Sequence, residues 1–192
     1  MDRSRSQILA WTLLSLICSA PTQASQDPPR SAPAAIDNPA GLHDFDFLIG
    51  DWRVHHRVRK VGGSQWVEFE GTSSTRKIMQ GWGNLEDNVL NPPSGSYRAA
   101  ALRSYDRVSG RWSTWWLDGR SPTGPLDPPV RGGFEHGVGR FYSEDTLDGK
   151  PIRTRYTWSR ITPRSARWEQ AYSSDAGESW DTNWVMEFRR VR

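Results

Sequence analysis

The amino-acid sequence predicts an all-β protein, an up-and-down antiparallel β-barrel of about nine strands. After residue 50, apolar and polar residues alternate with the period of two that is typical of strands, as Trp52 and Val54 do around Arg53. Turn signals such as Asp148-Gly149 separate these segments, and none shows the helical period. Because a meander must hide its edge strands by closing or by pairing two sheets, we expect a closed barrel.

Each strand is predicted from its own alternation and from the turn that ends it. A short amphipathic turn at residues 43–48 leads into the first strand, and the chain reverses at residues 106–110. Residues 119–129 form a loop rich in Pro and Gly, and Gly137 and Gly139 weaken the strand that follows it. The predicted strands cover residues 52–59, 66–78, 83–90, 97–105, 112–117, 134–145, 152–159, 167–172 and 180–190.

Residues 1–24 have the three parts of a secretory signal peptide. Arg3 and Arg5 supply the positive charge, residues 8–20 form the apolar stretch, and small residues precede a cleavage point after Ala24. The apolar stretch is too short to span a bilayer as a permanent helix. We therefore predict a periplasmic or secreted bacterial protein with no stable membrane insertion after cleavage. The alternative is an N-terminal anchor that is retained.

The remaining sequence divides into a flexible linker at residues 25–40, rich in Pro, Ala and Ser, and a β-barrel domain at residues 41–192. Cys18 is the only cysteine and lies in the predicted signal peptide. The mature protein would therefore contain no disulfide, no thiol nucleophile and no metal bound by cysteine.

The charge distribution argues against nucleic-acid binding. The chain carries 25 Lys and Arg against 22 Asp and Glu, a net charge of only +3. The Arg residues alternate with acidic and aromatic residues, whereas a nucleic-acid-binding protein needs a concentrated basic face. We predict a small-molecule ligand as the partner and no nucleic acid. The sequence does not define an oligomeric state.

Residues 173–180, SSDAGESW, match the pattern S-x-D-x-G-x-[ST]-W, which is best known from repeated copies in sialidase propellers. A propeller needs its blade several times, and the full motif occurs here once. We interpret it as a hairpin stabiliser. Asp175 would accept backbone N–H groups, Gly177 would supply a positive φ, and Ser173 and Trp180 would form a cross-strand pair.

Tryptophan is the strongest compositional signal, with eleven copies, of which only Trp11 lies in the predicted signal peptide. Rigid aromatic walls with a polar N–H suit a small, mostly apolar or aromatic ligand. Ala99 and Ala101 would leave room for it; the alternative is that the tryptophans simply fill the barrel. The candidate ligand-binding residues are Trp52, His56, Tyr97, Arg103, Trp116, Tyr156, Trp158, Trp168 and Trp184.

His56 is the candidate for chemistry, because it shares the face of Trp52 and should point inward. An interior histidine can act as an acid or base, ligate haem iron, or simply be a paired core residue. Glu68 and Glu70 are either a buried carboxylate pair or a solvated face. Arg103, if inward, could clamp a carboxylate. No H-x-H or H-E-x-x-H spacing occurs, so no metal site is predicted.

Three stretches resemble an uncharacterised family of bacterial domains of unknown function that are often secreted. They are FDFLIGDWRV from residue 45, YDRVSGRWSTWW from residue 105 and SSDAGESWDTNW from residue 173, and the resemblance covers residues 43–190. It implies a lipocalin-like (calycin) β-barrel and no agreed activity.

Gly50-Asp51-Trp52 is also similar to the G-x-W motif of lipocalins. In those barrels a cation from the last strand lies across the tryptophan ring, and Arg189 or Arg190 matches it here. Haem-binding nitrobindin-like barrels begin with a similar strand, which makes haem the one cofactor to consider; otherwise none is predicted.

Three functions therefore compete at this point. The first is a secreted or periplasmic barrel that binds a small, mostly apolar or aromatic molecule. The second is an enzyme on the same barrel, of the lyase, isomerase or hydrolase type, with His56 as acid or base beside an acid or Arg. The third is a structural or envelope partner protein, which a solid barrel with an outer apolar patch would favour. The sequence does not decide whether the protein is an enzyme.

Overall fold

The computed structural model describes residues 39–147 and 149–191, which form a closed barrel of ten antiparallel strands. Neighbours in the chain are neighbours in the wall, and β10 pairs back to β1. The elements are η1 (Asp46–Leu48, a 3₁₀-helix), β1 (Gly50–Val58), β2 (Val67–Ile78), η2 (Met79–Gly81, also 3₁₀), β3 (Gly83–Leu90), β4 (Tyr97–Asp106), β5 (Arg111–Asp118), β6 (Val130–Glu135), β7 (Val138–Leu147), β8 (Lys150–Ser159), β9 (Ser165–Ser173) and β10 (Asp181–Arg190). The predicted all-β, up-and-down barrel is confirmed.

Some predictions fall outside the described residues. These are the signal peptide at residues 1–24, residues 25–38 of the linker, and Asp148 of the Asp-Gly turn. Export and the linker therefore stay predictions. In the described part of the chain, no helix is both long and apolar enough to cross a membrane.

The structure has one strand more than the sequence predicted. Residues 134–145 were expected to form a single strand, but His136 and Gly137 both have positive φ, 50° and 76°, and form a tight turn between β6 and β7. Two successive positive φ values are the signature of a type I′ hairpin turn, whose twist matches the flanking strands. Gly137 was expected to weaken a continuous strand, whereas it lies in the turn at which the chain reverses direction.

Arg190 closes one end of the barrel, which we call the closed end. Its guanidinium carbon lies 4.1 Å from the centroid of the Trp52 ring, and its N–H groups donate to the backbone oxygens of Phe47, Ile49 and Pro163. The Trp52 indole N–H in turn donates to the Leu48 oxygen at 2.8 Å. The cation that lies across the tryptophan ring, as expected from the G-x-W motif, is therefore Arg190 and not the exposed Arg189.

Phe45 fills the barrel interior next to the contact between Arg190 and Trp52. The segment before β1 folds back over the closed end, so that Phe45 is buried at 1% exposure. Its ring meets Trp112 and Phe134 edge to face, with centroids 5.0 and 5.1 Å apart. Such edge-to-face contacts add to the stabilisation from burial. The closed end is thus a solid aromatic core, and any cavity must lie further along the barrel.

The hairpin between β9 and β10 confirms two of three details expected of SSDAGESW. Asp175 accepts a hydrogen bond from the backbone N–H of Ser179, and Gly177 has a φ of +101°. The hydroxyl groups of Ser173 and Ser179 also donate to Asp175 and hold the pKa of its carboxyl far below the usual range. The predicted cross-strand pair of Ser173 with Trp180 stays a prediction. The ladder between β9 and β10 begins one residue later, with Asp181 opposite Tyr172, and the Trp180 indole N–H donates to the Gly177 oxygen at 3.0 Å.

Replacing Arg190 tests how much this residue stabilises the closed end. We expect Arg190→Ala to lower the free energy of unfolding by about 2 to 4 kcal/mol, because the ring contact and charge-assisted hydrogen bonds are lost together. Urea unfolding would measure the loss. Arg189→Ala, at an exposed neighbouring position, is the matched control and should change stability little; equal losses in the two variants would contradict the assigned role.

Candidate functional site

A cavity of about 60 Å³ lies inside the barrel beyond the aromatic core. One wall is aromatic and comes mainly from β7–β10; the other, from β3–β5, carries Glu86, Ala101, Arg103 and Thr114. The period of two turns every second side chain of these strands inward, so the cavity gathers residues from most of the chain. The remaining lining residues are Trp116, Phe141, Tyr156, Trp158, Trp168, Gln170, Trp184, Met186 and Phe188.

A buried ion pair forms the polar wall. Arg103 donates through one terminal nitrogen to the Glu86 carboxylate and through the other to Asn84 Oδ1 at 3.0 Å. Ser73 Oγ donates to the second Glu86 oxygen at 2.7 Å. Both charged side chains are about 95% buried or more, with exposures of 5% and 3%. A buried pair of this kind is tolerated only when hydrogen bonds satisfy its remaining polar atoms.

One atom of that pair is not satisfied by the protein. The Nε–H of Arg103 is buried and has no hydrogen-bond partner among the described residues. The guanidinium is held between rings, with its carbon 5.0 Å from the Phe45 centroid and 5.7 Å from that of Trp158. Buried donors are nearly always paired, so this enclosed N–H is an exception that the surrounding residues do not satisfy.

Trp184 separates the cavity from a second, more open depression of about 580 Å³, which we call the outer basin. Trp184 lines both spaces. Inside, it meets Trp168 and Trp116 edge to face, at 5.6 and 5.9 Å between centroids. The rest of the outer basin is lined by Val58, Arg59, Lys60, Gly63, Ser64, Gln65, Val67, Phe69, Pro92, Ser94, Tyr97 and Arg120.

His56 holds Trp184 in place. The Trp184 indole N–H donates to His56 Nδ1 at 3.2 Å, and the imidazole stacks on Phe69 with centroids 4.7 Å apart and planes within 9°. Burial, and secondarily the nearby His55, lower the pKa of His56 to about 4. His56 is therefore neutral at physiological pH, with its proton on Nε2 because Nδ1 accepts.

The geometry does not suit His56 for haem ligation. Nδ1 is occupied by Trp184, and Nε2 lies against β2, only 2.7 Å from where a Cβ on Gly71 would stand. Neither ring nitrogen has room for an iron atom. Within residues 39–147 and 149–191, no group of three or more His, Asp or Glu residues is close enough to hold a metal ion.

The enzyme hypothesis places an acid or Arg beside His56 as its partner. The contact of His56 is an indole, while the interior carboxylate, Glu86, is bonded to Arg103 and Ser73. Glu68 and Glu70 do not supply a partner either. They lie exposed outside, bonded to Arg57 and His55, so the buried-pair interpretation of these two acids is wrong.

The structure separates the nine sequence-predicted site residues into four places. Trp52 lies in the closed end, His56 lies behind Trp184, and Tyr97 lies in the outer basin beneath Arg120, at 3.9 Å from its guanidinium carbon. The others line the cavity, namely Arg103, Trp116, Tyr156, Trp158, Trp168 and Trp184.

Sequence reasoning missed Glu86, Gln170 and the aromatic residue Phe141 as part of the cavity wall. In β3, Asn84, Glu86 and Asn88 alternate with Leu85 and Asp87, and the face with more polar residues is the one that points inward. Alternation alone would predict the opposite orientation. The pairing of β3 with β4, which sets Asn84 opposite Arg103, shows the true one.

Solved structures show the same fold. The chain aligns with Rv2717c from M. tuberculosis at 10% identity and a TM-score of 0.55, over 80% of this chain and 98% of that one. It aligns with the S-type phycobiliprotein lyase CPES from Guillardia theta at 10% identity and a TM-score of 0.50, over 77% and 90%. A DUF3598 protein from Nostoc punctiforme aligns at 7% identity, over 79% and 99%, but its TM-score of 0.22 is too low to bear on the fold.

No family model matches the chain, and no curated protein matches its sequence significantly. At 10% identity, the neighbours establish a lipocalin-like barrel and nothing about activity. The resemblance to a family of secreted bacterial domains stays a prediction.

The lowered pKa of His56 makes stability depend on pH. Between pH 6.5 and 4 the unfolded chain takes up a proton that the folded His56 refuses, so stability is full above pH 6.5 and falls as the pH drops towards 4. The expected loss is about 3 kcal/mol. The free energy of unfolding, measured with urea at several pH values in this window, should depend less on pH in His56→Asn than in the wild type. Asn retains an acceptor for Trp184.

His43→Asn, at an exposed site, is the control and should keep the pH dependence of the wild type. An unchanged pH dependence in His56→Asn would contradict the assigned role of His56.

Proposed function

We propose that the protein binds a small, mostly apolar or aromatic molecule inside the barrel. The observation that carries the proposal is the cavity between the aromatic wall and the Glu86–Arg103 pair. Natural binding sites combine these features: concave, largely apolar walls with a few fixed polar groups that orient the ligand. Glu86 and Arg103 supply the fixed polar groups, and the indoles of Trp158 and Trp168 supply flat apolar surface.

The size of the cavity indicates how the ligand enters. At about 60 Å³ it is less than half of the roughly 150 Å³ cavity that accommodates a benzene ring. Trp184 stands between this cavity and the outer basin, so rotation of its indole would join the two spaces. We infer that the polar end of the ligand reaches the inner cavity while its apolar body extends past Trp184 towards the outer basin.

A larger side chain at position 101, which lines the cavity, tests the site. In Ala101→Leu, the added side chain would occupy the space beside Trp116 and Trp158, and it should weaken binding of acetophenone or indole by roughly tenfold or more. Shifts of the Trp indole N–H signals in NMR titrations would measure the affinity. Ala100→Leu, one residue along β4 and not part of the cavity lining, is the matched control.

The proposal fails if neither probe shifts the interior Trp signals of the wild type, or if Ala101→Leu binds both probes as the wild type does. A change confined to Ala100→Leu would also contradict it, since that side chain does not reach the cavity.

We infer that the ligand is not haem. Both ring nitrogens of His56 are covered, and the cavity is far smaller than a porphyrin. Addition of haemin should give no Soret shift that depends on His56, so the spectra of the wild type and His56→Asn should be the same. A shifted band that disappears in His56→Asn would overturn this inference.

Ligand binding is favoured over the two competing functions by particular residues. An enzyme using His56 lacks the carboxylate partner described above. A docking protein requires a solid barrel with an apolar patch outside, and the second requirement is met, because Leu102 and Leu117 are exposed on adjoining outer faces of β4 and β5. The first is not, since the barrel holds a cavity beside the Glu86–Arg103 pair.

A further inference from the structure

We propose that the outer wall of the barrel binds an acidic polysaccharide along a line of four arginines, which we call the arginine strip. The four neighbouring strands β5, β6, β7 and β8 contribute one residue each, namely Arg111, Arg131, Arg140 and Arg155. This surface lies outside the cavity, so the inference is independent of the proposed function.

The strand register brings the four arginines together. Each arginine directly precedes a member of one row of register partners, and that row consists of Trp112, Gly132, Phe141 and Tyr156. Trp112 is buried, and Phe141 and Tyr156 line the cavity. Because successive side chains of a strand alternate in direction, the arginines before them point outward. Neighbouring strands are about 4.8 Å apart, so the strip is about 14 Å long.

The arginines of the strip lack acidic partners. Among the described residues, none of the four side chains makes an ion pair, and three of the four are exposed. Two acids on the same outer faces are engaged elsewhere: Glu144 accepts from Arg153 at 3.0 Å, and Asp106 accepts from the Ser109 hydroxyl at 2.6 Å. Positive charges gathered in this way without counter-charges attract an anionic partner.

Two aromatic rings hold part of the strip in place. Trp180 packs on Tyr142 with ring centroids 6.0 Å apart, and the guanidinium carbon of Arg155 lies 4.1 Å from the Trp180 centroid. Tyr142 lies opposite Arg131 in β6 and Arg155 in β8. A stacked guanidinium loses little freedom when an anion binds, and its planar fork suits bidentate contact with a carboxylate.

The shape of the strip favours a linear polymer over a small anion. Its cations come from four strands on the outside of a closed wall, so a small anion can reach only one or two of them. A chain with a carboxylate on successive units can contact all four in turn. Linked contacts that are individually weak then add up to a useful affinity.

Two other kinds of polyanion fit this surface less well. Single-stranded nucleic acid binds through open aromatic faces on which its bases stack, whereas Arg155 covers a face of Trp180. An anionic membrane surface is bound through apolar side chains that insert into it. In the described part of the chain, none of the exposed large apolar side chains lies on β6, β7 or β8.

Titration with polygalacturonate at neutral pH, followed by calorimetry, tests the inference. The wild type should bind polygalacturonate and not neutral dextran, and the affinity should fall roughly tenfold as NaCl rises from about 50 to 300 mM. In Arg131→Gln/Arg140→Gln, half of the cations of the strip are lost, so binding should weaken roughly tenfold.

The matched control is Arg53→Gln/Arg76→Gln, which removes the same charge from exposed positions on β1 and β2. It should change the affinity by less than about twofold. Circular dichroism would establish that both double variants are folded.

Three results would overturn the inference. They are no binding of polygalacturonate by the wild type, equal losses in the two double variants, and tighter binding of oligo(dT) or phosphatidylglycerol vesicles than of polygalacturonate. None of these results bears on ligand binding in the cavity.

Discussion

The architecture depends on the pairing of the first strand with the last, which Arg190 and Trp52 secure. The two residues face each other in the β1–β10 register, and the cation lies across the ring while binding three backbone oxygens. The same register continues to the other end of the two strands, where it sets Val58 opposite Trp184. Without this closure the sheet would have two free edges, and His56 would not meet an indole 128 residues further along the chain.

Closure also brings together two unlike halves of the sequence. The early strands β2–β4 turn polar side chains inward, including Ser73, Asn84, Glu86 and Arg103, whereas β7–β10 turn aromatic ones inward. A polar interior face would be unfavourable in an open sheet, because its groups would have no partners away from water. In the barrel they pair with one another, and the aromatic half covers them. The cavity is the place where the two halves meet without filling the space completely.

The role of His56 shows that a correct orientation does not by itself identify the chemistry of a residue. Parity placed His56 inside the barrel, and it is buried at 1% exposure. Parity says nothing about what stands beside it, and the neighbours are Trp184, Phe69 and the backbone at Gly71 rather than a carboxylate or a ligand. Its surroundings keep it neutral, and its hydrogen bond orients the Trp184 indole. Glu86 is the converse case, an acid whose place in the site follows from its bond to Arg103 on β4, although its register partner there is Ala101.

Alternation along the chain was enough to predict most of the strand pattern and the inward direction of Trp52 and His56, because it acts over a few neighbouring residues, and the G-x-W motif limited the cation to Arg189 or Arg190. The same alternation indicated most of the aromatic wall, since Trp158, Trp168 and Trp184 all line the cavity. The fold was needed to show the extra turn at His136, the choice of Arg190, the inward direction of Arg103 and its bond to Glu86. Those features depend on φ values and on register between strands far apart in the chain, and a one-residue shift in register would exchange every partner.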